Sequence, residues 1–124
     1  MKYLLALITA VALTAPAMAQ HSHSAAGPNG GQMQDIAGVH AELLIAGATL
    51  TFNILDESSK PVPTKGFSGS ALVVSGADRE TVVLAPAGDS ALKGDAKKPI
   101  AKGATVSVTL KTAAGKSGQA RFKP

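Results

Sequence analysis

The chain has no cysteine and no tryptophan, and its one tyrosine, Tyr3, stands at the very beginning. Without cysteine there is no disulfide staple, no thiolate metal or redox site and no thiol nucleophile, so stability has to come from packing. Aromatic residues are 3% of the whole, which leaves Phe52, Phe67 and Phe122 as the large members of a core otherwise built from Val, Leu, Ile and Ala. The basic residues are scattered and have no stacking aromatics among them, which argues against nucleic-acid binding. Loss of Lys2 with a leader lowers the formal charge from +4 to +3, a mild surplus that serves solubility. Lys97, Lys98 and Lys102 beside Pro99 read as loop.

Long apolar runs are also missing after the start. "LLALITAVALTA" is short of the roughly 20 residues that a membrane span needs. It follows Met1-Lys2-Tyr3 and precedes Ala17-Met18-Ala19, the small-residue pattern of a signal-peptidase site. Residues 1–19 are therefore expected to be a cleaved signal peptide and the product a periplasmic protein, free of the membrane once processed. Residues 20–34, "QHSHSAAGPNGGQMQ", are small, polar and glycine-rich with no period, and read as a flexible arm. Residues 35–124 form a single domain.

Helical periodicity is absent from that domain, and period-two alternation takes its place. "VHAELLI" puts Val39, Ala41, Leu43 and Ile45 on one face and His40, Glu42 and Leu44 on the other. "ATLTFNIL" points Leu50, Phe52 and Ile54 inward. A tight Ala46-Gly47 turn pairs Ile45 with Ala48, Leu43 with Leu50 and Ala41 with Phe52. "GSALVVS" and "RETVVLA" flank a second hairpin at Gly76-Ala77-Asp78, and a short strand is expected near Ala91 to Lys93. "TVSVTLK" and "SGQARFK" form a third hairpin, with Leu110 opposite Gly118, Val108 opposite Ala120 and Val106 opposite Phe122. Gly115 supplies the left-handed turn residue. About seven short strands predict an all-β, antiparallel β-sandwich, immunoglobulin-like in the broad sense, with a small β-barrel as the alternative.

The chemistry-bearing residues are few. No Ser lies in a G-x-S-x-G elbow, the "GPNGGQ" stretch lacks the lysine of a phosphate loop, and no carboxylate pair stands out, so the chain is not expected to be an enzyme. Metal ligands, by contrast, cluster near the front. His21 and His23 open the processed chain, Met33 and Asp35 follow, and His40-x-Glu42 sets imidazole and carboxylate on one strand face roughly 7 Å apart. This set favours copper, with zinc or nickel as alternatives, and Met33 adds thioether character suited to copper. A free amine at Gln20 with His21, or His23 as third residue behind His21, would each suit Cu(II).

"GPNGGQMQDIAGVHAELLIAGATLTFNILDESSKPV" resembles a group of small exported proteobacterial proteins. It is also similar to the periplasmic domain that precedes the membrane-fusion part of heavy-metal efflux adaptors. There a His-Gly-Gly-Arg opening leads into a Val-Glu-Leu strand. Gly30, Gly31, Asp35, Glu42 and Leu43 fit the "GG-x(2,3)-D…(H)-x-E-L" opening of those small exported proteins, and Asn29 stands where the adaptors carry histidine. A looser similarity is to periplasmic copper carriers, which combine a β-sandwich with histidine near the processed N-terminus; their methionine-rich segment is missing here. The resemblance implies metal homeostasis, as carrier, buffer or efflux accessory, with an efflux adaptor or other periplasmic protein as possible partner. The alternative is a metal-free interaction module.

Overall fold

A computed structural model describes residues 25–124. Nine antiparallel strands are formed: β1 (Ala25–Ala26), β2 (Gln32–Ile36), β3 (Val39–Ala46), β4 (Thr49–Leu55), β5 (Ser68–Ser75), β6 (Asp78–Ala87), β7 (Ala91–Asp95), β8 (Thr105–Lys111) and β9 (Ser117–Phe122). They are ordered β1-β2-β3-β4-β7-β6-β5-β8-β9 in one continuous sheet. The sheet curls until β2 lies against β9, so the all-β expectation is met by a nearly closed small barrel.

Alternation along the strands decides what fills it. Leu50, Phe52 and Ile54 of β4, Val106, Val108 and Leu110 of β8, and Leu92 of β7 all point inward and are buried. Phe52 and Phe122 meet edge to face across the interior, with ring centroids 5.5 Å apart and an interplanar angle of 66°, a favoured geometry for the ring quadrupoles. Phe67 is buried as well.

The β8–β9 hairpin pairs Val106 with Phe122, Val108 with Ala120 and Leu110 with Gly118, and Gly115 takes φ 87° in its turn. Each of these was legible beforehand. The β3–β4 hairpin is offset by two residues from the expected register: Ala46 pairs with Thr49, Leu43 with Phe52 and Ala41 with Ile54. The cause is Gly47, whose φ of 61° belongs at the first central position of a type II′ turn, making Gly47-Ala48 the loop. A shift of two keeps every side chain on its expected face.

β6 is the corner of the barrel. Its residues through Leu84 pair with β5, whereas Ala85 to Ala87 pair with β7. Gly94 of β7 permits the close passage, because a Cβ there would stand 2.6 Å from the Val83 carbonyl oxygen.

The arm expected over residues 20–34 is corrected over its described part. β1 pairs with β2 through Ala25–Met33 and Ala26–Gln32, and β2 lies in the sheet from Gln32 onward. The remainder of that arm and the expected signal peptide lie outside the described residues. β2 and β9 run antiparallel but close through glutamine side chains instead of a backbone ladder. Gln34 Nε2 donates to the Arg121 carbonyl (3.3 Å), and the Lys123 N–H donates to Gln32 Oε1 (2.8 Å).

Candidate metal and latch site on the first hairpin

The β2–β3 hairpin turns at Ala37-Gly38, where both residues have positive φ, 52° and 83°. That is the type I′ geometry suited to the right-handed twist of its strands. Its register places Asp35 opposite His40 and Met33 opposite Glu42. Ile36, Gln34 and Gln32 alternate to the inner face, so Met33, Asp35, His40 and Glu42 share the outer one. Four of the six candidate ligands thus occupy two adjacent rungs. His21 and His23 lie outside the described residues.

Asp35 and His40 touch through Oδ1 and Nδ1. The aspartate is exposed and the imidazole only a quarter so. Nδ1 is shielded from solvent and lacks a hydrogen bond of good geometry. One nitrogen and one oxygen donor are therefore held together at the hairpin surface. Met33 is half-buried beside them. Among the described residues no group of three or more His, Cys, Asp or Glu side chains is placed to hold a metal ion.

Glu42 has a different situation from its neighbours. The alternation assigns it to the outer face, yet it is fully buried, because the segment Gly27 to Gly31 folds over it. Asn29 Nδ2 donates to Oε1 (2.9 Å), while the backbone N–H groups of Asn29 (2.8 Å) and Gly31 (3.0 Å) both donate to Oε2. The turn closes on itself through Gly27 N–H to the Gly31 carbonyl (2.7 Å) and Gly30 N–H to the Gly27 carbonyl (3.0 Å). The glycines serve close approach: a Cβ at Gly27 would overlap the Glu42 carboxyl group, and one at Gly31 would overlap the Leu43 carbonyl oxygen. Burial pushes the Glu42 carboxyl up, but hydrogen bonds from the Asn29 side chain, the Asn29 and Gly31 backbones and the Asn53 side chain outweigh it. They hold the group below its usual 4.5.

Sequence reasoning singled out Glu42 and missed its partners Asn29 and Gly31, which lie in the turn between β1 and β2. Asn29-Gly30 is a turn dipeptide, and that was the one local signal. Two open clefts of about 450 and 490 Å³ are lined in part by Val73 and Lys97 and by Gly31 and Lys123 respectively; neither is lined by Asp35 or His40. Comparison with protein-family models, curated proteins and solved structures finds no match.

Proposed function

We propose that the processed protein is a periplasmic carrier, buffer or efflux accessory for a transition metal ion, copper first, with zinc or nickel as alternatives. The ligands are His21 and His23 from the segment before β1, together with His40 and Asp35 of the hairpin; Met33 lies beside them. Glu42 acts as the support of this site, since recruiting it as a ligand would strip three hydrogen bonds from a buried carboxylate.

The observation that carries the reading is the Ala25–Met33 pair. His23 is two residues before Ala25, so chain geometry keeps its Cα within about 7 Å of the Ala25 Cα. Asp35 is two residues beyond Met33, a similar span along β2. Covalent reach thus allows the leading imidazoles to meet the His40–Asp35 rung, where tethering would raise their effective concentration. The resemblance to efflux-adaptor and copper-carrier domains agrees with this. Asn29, standing where the adaptors carry histidine, takes the role of holding Glu42. The metal-free interaction module is favoured by one feature, Val83, which is 76% exposed on β6.

Titration of the processed protein with Cu(II) and Zn(II) tests the proposal. His40→Ala is expected to weaken binding by roughly tenfold or more, and the paired change His21→Ala with His23→Ala to remove most of what remains. Binding untouched by His40→Ala would overturn the shared site.

A further inference from the structure

Asn29 is followed by Gly30, and the pair sits in the turn that seals Glu42. An asparagine before glycine is the dipeptide most open to attack by the next backbone nitrogen, because glycine has no side chain to hinder it. Two hydrogen bonds stand against that reaction here. The Asn29 side-chain amide is held on Glu42 Oε1 at 2.9 Å, and the Gly30 N–H, the would-be nucleophile, is bound to the Gly27 carbonyl at 3.0 Å. Closing the five-membered ring requires that both let go.

We infer that Asn29-Gly30 is a deamidation site, guarded while the turn is closed on Glu42 and irreversible in its consequence once the turn has opened. The Gly30 nitrogen bonds to Asn29 Cγ, the Cγ–Nδ2 bond breaks, and ammonia leaves with the proton from Gly30. Water then opens the succinimide to aspartate or isoaspartate, so the net change is amide plus water to carboxylate plus ammonium. The new carboxylate lies opposite Glu42 Oε1, where a donor used to be. On the exposed Asn29 position it faces the buried Glu42 carboxylate; the like charges repel and their mutual hydrogen bond is lost, so the closed turn is disfavoured. β1, whose described residues pair with Gln32 and Met33, comes away with it. The inference is independent of metal binding.

Peptide mapping of purified protein aged in mildly alkaline buffer reads the modification as the mass gain of an amide-to-acid exchange at Asn29. Folded wild type is expected to convert far more slowly than the same chain in urea. Glu42→Gln, checked for folding by circular dichroism, should convert roughly tenfold faster than folded wild type, since one lost charged hydrogen bond shifts opening by about that factor. Conversion of folded wild type at the unfolded rate, or a folded Glu42→Gln no faster than wild type, would overturn the guard. Asn29→Asp should lose hydrogen-exchange protection at Gly31 and β1 while β4 and β8 keep theirs. Unchanged protection would overturn the consequence. If that variant does not fold, the aged wild-type fraction separated by ion exchange gives the same reading.

Discussion

Asn29 and Glu42 are joined twice, by the Asn29 side-chain amide on Oε1 and its backbone N–H on Oε2, across a separation of thirteen residues. The carboxylate is wholly buried, so these bonds replace its water. Glu42→Ala leaves the donors of Asn29 and Gly31 without an acceptor, and a loss of about 3 kcal/mol in urea unfolding is expected. Asn29→Ala keeps both backbone donors and should cost less, about 1.5 kcal/mol.

The same carboxylate makes stability depend on pH. Its folded value lies below the usual 4.5, so the unfolded chain binds the proton more readily. The contribution is fully present above the unfolded value and is lost as pH falls through the lowered folded one. Urea midpoints measured from neutral pH downward should therefore fall more steeply below about pH 4.5 in wild type than in Glu42→Gln, which has no proton to take up.

Ala37 takes a left-handed conformation, φ 52°, that costs an L-residue about 1–2 kcal/mol. Glycine relieves it at some expense in unfolded-state entropy. Ala37→Gly is expected to stabilise by about 0.5 kcal/mol, a rise of roughly 2–4 °C in Tm, readable by calorimetry.

At the seam, Gly118 lies so close to the β2–β3 turn that a Cβ would stand 2.6 Å from the Ala37 backbone nitrogen. Gly118→Ala forces β9 away from β2 and should cost about 2 kcal/mol, with faster amide exchange at Arg121 and Lys123 as its local sign.

How legible the molecule was in its sequence follows from how local each constraint is. The β8–β9 register depends on a three-residue loop and a single glycine, and could be read residue by residue. Gly47 shifted the β3–β4 register by two without disturbing the faces, because alternation constrains side and only turn geometry constrains pairing. β2 was concealed by its glutamines, polar residues whose inward direction makes sense only once β9 lies beside them. The spacing from His40 marks Glu42 as chemistry-bearing, but its burial depends on a glycine-rich segment that reads as mobile in isolation. The His40–Asp35 contact likewise arises from the two-residue turn between Ile36 and Val39, a pairing that spacing along one strand does not reveal.

The most direct test of the shared metal site is paramagnetic broadening of backbone amide signals as substoichiometric Cu(II) is added to the processed, isotope-labelled protein. The account expects early and joint loss of signals at Ala25, Met33, Asp35 and His40, with β5 and β6, far from β2 and β3 in the sheet order, unaffected. Broadening restricted to residues before Ala25, with Asp35 and His40 sharp throughout, would contradict it.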